Sequence, residues 1–383
     1  MKKVLAIVMA AFMVMSMFAG CQASGKKDAK VIKIGMTGPL TGGAAVYGTA
    51  VEAGMKIAVE EINAAAGADG LKIEFKSADD EHDGEKALNA YNTLKDWGMQ
   101  FFAGCVTTGP CTSVAPSAVE DKIFMMTPSG SSETIPNAGS NVFQMCFTDP
   151  NQGSSAAQLV ADKNMATKIG IIYDSSDDYS KGLVQGFKTK ASELSLNIVC
   201  ETSFTADNKS DLTTQVNQCK QEGCDFVFLP FYATEAAQVL TYANKIGYEP
   251  TFFGCDGMDG VLTIDGFDTA LAEGLVLMTP FNPDAEANKD FVAKYKAMMN
   301  NEVPNQFAAD GYDVIYAIYN ACLATGVNGT TSASDACAKL VEYFKTYKFD
   351  GLTGIGMTWN AKGLISKVPA AVVIKDGKYE ALS

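Results

Sequence analysis

From residue 31 onward, short apolar runs alternate with longer segments in which apolar residues recur every three or four positions. VIKIGMTG precedes a predicted helix over Gly43–Ala66, and LKIEFKSADD precedes a helix over Glu85–Asp96. The same rhythm continues with the apolar run MQFFAGCV, a predicted helix near Cys111–Asp121 and the apolar run KIFMMTPS. This alternation of strand and helix predicts a mainly parallel sheet flanked by helices.

The same rhythm begins again after Asp149 and indicates a second α/β unit. Here the apolar runs KIGIIYD, NIVCETSF, CDFVFLPFY and TFFGCD alternate with four predicted helices, at Gln152–Asn164, Ser180–Leu194, Asp211–Glu222 and Glu235–Ile246. A chain of 383 residues is also too long for one ordinary core. We therefore expect two lobes, with no sequence repeat between them.

Beyond Gly274–Phe281 the pattern changes to helices that have no sheet of their own. They are predicted at Ala285–Asn300, Gln306–Thr325 and Ser332–Tyr347. WNAKGLI and AAVVIKDGKYEAL follow, with turn signals at Lys362-Gly363 and Asp376-Gly377 that suggest hairpins. The simplest arrangement returns the helices to the first lobe, which makes both lobes discontinuous. We predict lobe 1 from 31–148 plus 281–355, lobe 2 from 149–280 plus 356–383, and three hinge crossovers between them.

The N-terminus has the layout of an export signal. Lys2 and Lys3 precede an apolar run over Val4–Ala19, which predicts a signal peptide at 1–20. FAGC, ending at Cys21, resembles the bacterial lipobox, whose cysteine becomes a lipidated N-terminus, although Phe18 replaces the usual leucine. Residues 21–30 are then a polar tether. We expect an extracytoplasmic protein, lipid-anchored at Cys21 to the outer face of a bacterial membrane; an uncleaved anchor and ordinary secretion are the alternatives.

Composition and charge narrow the class of partner. With 47% apolar and 19% charged residues the chain is globular, and its net charge of −14 argues against binding to nucleic acid or to anionic lipid. The sequence contains no arginine, the usual clamp for phosphate and dicarboxylate groups. Ligands with additional anionic groups are therefore disfavoured.

The cysteines and the single histidine do not form a familiar reactive motif. There are 10 cysteines but no C-x-x-C, and His82 lies in DDEHDG, which lacks the calcium-loop spacing and is interpreted as a solvated loop. No P-loop or G-x-G-x-x-G is present. We expect no metal, no cofactor and no enzyme activity. An exported amidase using Cys105 or Cys111, and a sensor ectodomain, are the alternatives from other classes.

The ends of the predicted strands carry a consistent chemistry. They hold hydroxyls, glycines, aromatic rings and a few carboxylates, for example in GPLTG, VTTG, TPSGS, FY and CDG. In an open α/β sheet ligands bind at this edge, near helix N-termini. Hydroxyls and free amides suit a carboxylate, whereas an acid and carbonyls suit an ammonium. Together they indicate a zwitterionic ligand.

Nearly the whole chain from about Lys30 resembles the type I periplasmic binding proteins, in particular the leucine/isoleucine/valine-binding branch. The matching stretches are IKIGMTGPLTGGAAVYG, AGCVTTGPCTSVAP, FMMTPSGSS, TDPNQG, IIYDSSDDYSKGL, FFGCDG and FDGLTGIGMTWNAKG. The resemblance implies a two-lobed, Venus-flytrap fold that closes on a small amino acid. The protein would then be a monomeric receptor that hands its ligand to the permease of an ABC importer.

The resemblance also assigns roles to seven residues. Carboxylate and ammonium contacts would come from hydroxyl-bearing residues of lobe 1, the side-chain pocket from tyrosines, and the ammonium's counter-charge from an aspartate: Thr108, Ser129 (carbonyl), Ser131, Tyr47, Tyr179, Tyr232 and Asp256. The alternative for the hydroxyls is helix capping. Asp149 is interpreted as a hinge or cap residue.

The chain departs from the family pattern at three points. Asp256 stands where glutamate is frequent, Ser131 where threonine is commoner, and His82 at one position of a disulfide that this chain lacks. The expected ligand is a branched or aliphatic amino acid, with another small amide or carboxylate as the alternative.

Overall fold

The structure is a computed structural model, and it describes residues 28–382. The predicted signal peptide and most of the predicted tether, including Cys21, lie outside the described residues. Within 28–382, no helix has both the length and the apolar character needed to cross a membrane.

The first α/β unit is a five-stranded parallel sheet in the order β2-β1-β3-β4-β5. Its strands are β1 (Val31–Gly38), β2 (Lys72–Asp79), β3 (Phe101–Phe102), β4 (Phe124–Thr127) and β5 (Val142–Gln144), and its helices are α1 (Ala45–Ala66), α2 (Gly84–Asp96) and α3 (Thr108–Glu120). All four residues of β4 are buried, as expected for a strand covered on both faces.

The second unit repeats this architecture. Its helices are α4 (Asp149–Asp162), α5 (Asp178–Glu193), α6 (Thr213–Glu222) and α7 (Ala233–Lys245), and its strands are β6 (Ile169–Asp174), β7 (Ile198–Phe204), β8 (Phe226–Leu229), β9 (Thr251–Gly254) and β10 (Val276–Met278). These strands pair in parallel, in the order β10-β9-β8-β6-β7. The prediction of two successive α/β units is confirmed.

The remaining helices return to the first lobe. They are α8 (Lys289–Met298), α9 (Gln306–Thr325) and α10 (Ala333–Phe344), followed by the short pair β11 (Phe349–Gly351) and β12 (Gly354–Met357). Close packing of α1 on α9 requires Gly54, since a Cβ there would lie 1.8 Å from the Ala308 carbonyl oxygen. The chain then returns to the second lobe, where β13 (Ala371–Lys375) and β14 (Lys378–Ala381) complete its sheet.

The chain therefore crosses between the lobes three times: after β5, after β10 and before β13. The third crossover differs from the predicted boundary at 355/356. Trp359 Nε1 donates to the Gln144 carbonyl (2.8 Å) and the Gln144 amide donates to the Gly363 carbonyl (3.0 Å), so residues 358–366 lie along the edge strand of lobe 1. This segment hydrogen-bonds to the free edge of the lobe 1 sheet, and the chain crosses to lobe 2 only after the segment ends.

The two predicted C-terminal turns differ in kind. Lys375 pairs with Lys378 in the β13–β14 hairpin, and both loop residues, Asp376 (φ 49°) and Gly377 (φ 69°), have the positive φ of a tight two-residue turn. At Lys362-Gly363 the chain turns, but only an isolated bridge joins Trp359 to Ile365.

Two helices begin three residues earlier than the sequence pattern predicts. α3 begins at Thr108 instead of Cys111, and α4 at Asp149 instead of Gln152. Each has a proline in its first turn, Pro110 and Pro150, which breaks the apolar periodicity yet is compatible with a helix start. The shift places Thr108 and Asp149 on the first turns of helices that face the other lobe.

Candidate ligand-binding site between the lobes

The lobe 1 side of the interface is a loop at 128–132 that faces the start of α3. The Ser131 amide donates to Thr108 Oγ1 (3.3 Å), which joins the loop to the helix. The loop is held from behind, because Gln144 Nε2 donates to the carbonyls of Gly130 (2.7 Å) and Ser132 (3.0 Å). The hydroxyl-bearing residues of lobe 1 are thus placed by a buried network that does not depend on a ligand.

The N-terminus of α3 has no side-chain cap. Its N-cap residue, Thr107, is extended (φ −103°, ψ 154°) and makes no capping hydrogen bond. Ser129 Oγ donates to the Val106 carbonyl (2.6 Å), so neither this hydroxyl nor that of Thr108 caps the helix. The alternative that Thr108 and Ser129 serve as helix caps therefore does not describe these two residues. The positive end of the α3 dipole faces the interface.

On the lobe 2 side, an aspartate and a tyrosine form a hydrogen-bonded unit. Tyr179 Oη donates to Asp256 Oδ1 (2.7 Å) and accepts from the Gly257 amide (2.8 Å). The Asp256 amide donates to Gln152 Oε1 (3.1 Å), which ties this unit to α4. The Tyr179 ring stacks on Tyr232, with centroids 5.1 Å apart.

The lobes are in contact through Tyr47 of α1. Its hydroxyl donates to the Gly257 carbonyl (2.6 Å) and accepts from the Ala233 amide (2.8 Å), and its ring lies 5.3 Å from that of Tyr232. Thr234 Oγ1 also donates across the interface to the Gly43 carbonyl (3.0 Å). The molecule therefore adopts a closed arrangement in which the side chains of both lobes form one buried site.

Asp149 and Asp256 are buried carboxyl groups at this interface, and neither forms an ion pair with any of the residues that the structure describes. Asp149 is 1% exposed, and neither of its carboxyl oxygens has a hydrogen-bond partner among the described residues. Asp256 is 3% exposed, and burial raises its pKa to about 6; burial also raises the pKa of Asp149. The buried lysine nearby, Lys367, is already paired with Asp310 (2.7 Å). Uncompensated buried carboxyl groups are costly, so this site favours a cationic group.

The sequence pattern predicts a hinge or cap residue at Asp149 but not the burial of its carboxyl group. The structure places this carboxyl group in the first turn of α4, just after the first crossover, with Gly182 of α5 packed against it. The signal available in the sequence was the acid–proline pair that opens TDPNQG. Only the packing of α5 on α4 removes this acid from water.

Only part of DDEHDG is the solvated loop that the sequence predicts. Glu81 and Asp83 are exposed, but Asp80 is buried and His82 lies against both lobes. Its Nδ1 is 2.9 Å from Thr107 Oγ1, and its ring meets Tyr232 edge-on at 5.4 Å. Burial lowers the pKa of His82, which favours the neutral ring. His82 therefore borders the site beside the start of α3.

The thiols proposed for the amidase alternative are not activated. Cys111 Sγ donates to the Cys105 carbonyl (3.0 Å), and burial raises the pKa of the Cys105 thiol well above its ordinary value. A nucleophilic cysteine requires the opposite shift. The geometry gives this alternative no support.

The seven residues predicted for ligand contact lie at this interface, with all but Tyr232 buried. They comprise a hydroxyl set from lobe 1, three tyrosines and one aspartate: Thr108, Ser129, Ser131, Tyr47, Tyr179, Tyr232 and Asp256.

Comparison with known proteins gives the same architecture. A Leu/Ile/Val-binding protein of Citrobacter freundii is 28% identical over 353 residues, covering 91% of this chain and 92% of that protein. The isoleucine complex of a branched-chain amino acid transporter substrate-binding protein from Streptococcus pneumoniae is 27% identical, with a TM-score of 0.82 over 92% of this chain and 98% of that one. A leucine-binding protein from Thermotoga maritima is 25% identical, with a TM-score of 0.81 over the same shares.

The family model described as "Periplasmic binding protein" matches residues 31–378. That range includes the first sheet, the second sheet up to the first residue of β14, all three crossovers and every residue of the interface described above. The two-lobed α/β architecture, the closed interface and this match agree, and the chain belongs to the periplasmic binding protein family.

Proposed function

We propose that this protein captures a small amino acid with a branched or aliphatic side chain between its lobes and delivers it to an ABC importer. The observation that carries the proposal is the juxtaposition of an uncapped helix N-terminus with the buried carboxyl groups of Asp149 and Asp256, which have no cationic partner in the described part of the chain. A free amino acid supplies an anion for the first and a cation for the second. The similarity to amino-acid-binding proteins supports the same class of ligand.

The ligand carboxylate is assigned to lobe 1. The N-terminus of α3 offers backbone amides and a favourable dipole, and Thr108 and Ser131 add hydroxyls beside it. No arginine is needed for a single carboxylate, whereas a second anionic group would lack a partner. The proposal therefore excludes dicarboxylate ligands from the preferred class.

The ligand ammonium is assigned to Asp256, with the Ser129 carbonyl as a second acceptor. Asp256 is oriented by Tyr179 and Gly257, so its geometry does not depend on the ligand. Asp149 adds a second buried carboxyl group at the start of α4, and its oxygens have no hydrogen-bond partner within residues 28–382. A charge-assisted hydrogen bond inside a dry site is stronger than the same bond in water.

The ligand side chain is assigned to the aromatic wall of Tyr47, Tyr179 and Tyr232, whose rings form a continuous set across the interface. Rings of this kind offer apolar faces, which suit an aliphatic group. Lobe closure about the three crossovers then encloses the ligand, and the closed form is the one that the permease recognises. The protein would act as a monomer, tethered outside the membrane through a lipid on Cys21.

A thermal-shift panel tests the proposed function. The mature domain lacking Cys21 is stripped of bound ligand and mixed with each amino acid and with small amides and carboxylates. A ligand at one hundred times its dissociation constant should add about 2.7 kcal/mol to the free energy of unfolding. Stabilisation by leucine, isoleucine or valine supports the proposal. Stabilisation only by an amide or a carboxylate would assign the ligand to that class instead. No shift with any zwitterion would contradict the proposal.

Replacing Tyr47 with phenylalanine should weaken ligand binding by weakening closure. The substitution removes a hydroxyl that donates to the Gly257 carbonyl and accepts from the Ala233 amide. Leaving these buried groups unpaired costs about 1–3 kcal/mol of the closed state, which corresponds to roughly 5- to 150-fold in affinity. Calorimetric titration with the amino acid found in the panel measures the change. Tyr91→Phe is the matched control, because that buried hydroxyl bonds Asp121 within lobe 1 (3.0 Å); equal affinities for all three proteins would contradict the closing role of Tyr47.

Ligand affinity should fall when the pH drops below about 6. Burial raises the pKa of Asp256 to about 6 in the ligand-free closed form, so the carboxylate is ionised above that pH and neutral below it. A bound ammonium favours the ionised form and lowers the pKa in the complex; affinity is then constant above about pH 6 and falls by up to about tenfold per pH unit below it. Titration calorimetry across this range measures the profile, with Asp256→Asn expected to flatten it. An affinity that is constant or rises on acidification would be incompatible with the assigned role.

A further inference from the structure

Lobe 2 contains a cluster of three cysteines close to the starts of β7 and β8, whereas Tyr232 and Asp256 of the ligand network follow the carboxyl ends of β8 and β9. Cys200 lies in β7, Cys219 in the last turn of α6, and Cys224 just before β8. All three are buried, and their sulfur atoms lie within 4.8 Å of one another. The Sγ atoms of Cys200 and Cys219 are 3.7 Å apart.

The backbone around the cluster brings the three sulfurs together. α6 ends at Gly223, whose left-handed conformation (φ 71°) reverses the chain, and the Cys224 amide donates to the Cys219 carbonyl (3.0 Å). Tyr248 Oη donates to the Cys224 carbonyl (2.9 Å) and holds the turn from the other side. Cys219 and Cys224 therefore belong to an ordered, hydrogen-bonded turn, and Cys200 of β7 lies beside it.

The neighbouring strand leaves room for the sulfurs. A Cβ at Gly170 of β6 would lie 2.9 Å from Cys219 Sγ and 3.0 Å from Cys224 Sγ. Any side chain at this position would therefore push into the space between the thiols. The absence of a side chain here keeps the sulfur-lined space open.

The spacing of the sulfurs matches that of thiolates around one metal ion. With metal–sulfur bonds of about 2.3 Å, ligands in a tetrahedral or trigonal arrangement lie about 3.8–4.0 Å apart. Soft thiolate ligands select ions such as Zn²⁺ and Cu⁺ over hard ions such as Mg²⁺ and Ca²⁺. A cation beside Cys219 also meets the negative end of the α6 dipole, which favours it.

We propose that Cys200, Cys219 and Cys224 form a three-thiolate site for one soft, thiophilic metal ion within lobe 2. The three thiols release three protons as the ion binds, so a divalent ion leaves the site with one net negative charge. Lys168, whose ammonium donates to the Glu222 carbonyl (3.2 Å), lies at the edge of the turn and offsets that charge. Within residues 28–382 no histidine, carboxylate or further cysteine joins the three thiols. A fourth coordination position on the ion would therefore be taken by water.

The bound ion would link β7, the end of α6 and the start of β8. It would stabilise lobe 2 against unfolding, because the unfolded chain holds no preformed set of three thiolates. This inference does not rest on the identity of the ligand between the lobes.

Cadmium binding tests the proposal. The full chain is purified in detergent under anaerobic, reducing conditions, freed of reductant, and dialysed against Cd²⁺ alone. We expect one Cd²⁺ per chain, ultraviolet absorption from cadmium–thiolate charge transfer, and displacement by excess Zn²⁺. Cys219→Ser should weaken binding by at least about tenfold and remove most of that absorption. Cys337→Ser is the matched control, since Cys337 is also buried but lies in α10 of lobe 1, and it should bind Cd²⁺ like the unmodified chain.

Three results would overturn the proposal. In the first, the unmodified chain does not bind Cd²⁺ although a thiol titration shows that its cysteines are free. In the second, Cys219→Ser binds Cd²⁺ as tightly as the unmodified chain. In the third, the protein as isolated has a disulfide between two of the three cysteines. Cys200→Ser and Cys224→Ser keep the test decisive if Cys219→Ser does not fold, as judged by circular dichroism. Each should lower the affinity for Cd²⁺ by at least about tenfold as well.

Discussion

Asp256→Ala should reduce amino-acid affinity by at least about 30-fold, while the protein remains folded. Truncating one partner of a buried charge pair costs about 2–5 kcal/mol, because the ammonium loses its counter-charge inside a dry site. Asp256 is 3% exposed, and water in the space left by the side chain would replace the carboxylate only poorly. Calorimetric titration with the amino acid found in the thermal-shift panel gives the change in the dissociation constant.

The control for this substitution is Asp265→Ala, which removes an exposed carboxyl group from the same lobe and should leave affinity unchanged. Circular dichroism separates loss of binding from loss of structure. If Asp256→Ala binds as tightly as the unmodified protein, the ammonium lies elsewhere, and Asp149→Asn becomes the next variant to measure.

Lys367→Met should lower the free energy of unfolding of the first lobe by about 3–5 kcal/mol. Lys367 and Asp310 form an ion pair at 2.7 Å in which both side chains are almost fully buried, and Lys367 Nζ also donates to Thr353 Oγ1 (2.6 Å). Removing the lysine leaves the Asp310 carboxyl group buried without a cation. Urea unfolding followed by tryptophan fluorescence reports on this lobe, because Trp97 and Trp359 both lie in it.

Two further variants give this prediction its controls. Lys294→Met breaks the exposed pair with Glu61 (2.6 Å) and should cost at most about 1 kcal/mol. Lys367→Met combined with Asp310→Leu removes both buried charges and should be more stable than Lys367→Met alone. If Lys367→Met and Lys294→Met lose the same free energy of unfolding, burial does not increase the contribution of the Lys367–Asp310 pair to stability.

Much of the architecture could be predicted because the repeating pattern of apolar and polar residues is local. Strand and helix periods differ, so the alternation along the chain predicted two α/β units and the return of the last helices to the first lobe. Errors arose where a tertiary contact outweighed the local signal. Residues 358–366 follow the free edge of β5, and α3 and α4 begin before the residues at which their apolar periodicity starts.

The candidate site was predictable only in part. Strand ends of a parallel sheet converge at one edge, so their hydroxyls, rings and carboxylates can be grouped from the sequence. Burial could not be predicted in this way, because it depends on elements distant in sequence. Asp149 is enclosed by α5, and His82 meets Tyr232 of the opposite lobe.

The fold class, the chemistry available at the strand ends and the lack of arginine follow from residue type and local order. Which charges are buried without a partner, which hydroxyls join the lobes and which thiols meet depends on contacts between distant parts of the chain. Cys200, Cys219 and Cys224 show this most clearly, because a strand, a helix end and a turn bring together sulfurs that no sequence motif connects. Close contact and exclusion of water are properties of packing, and packing is set by the whole chain.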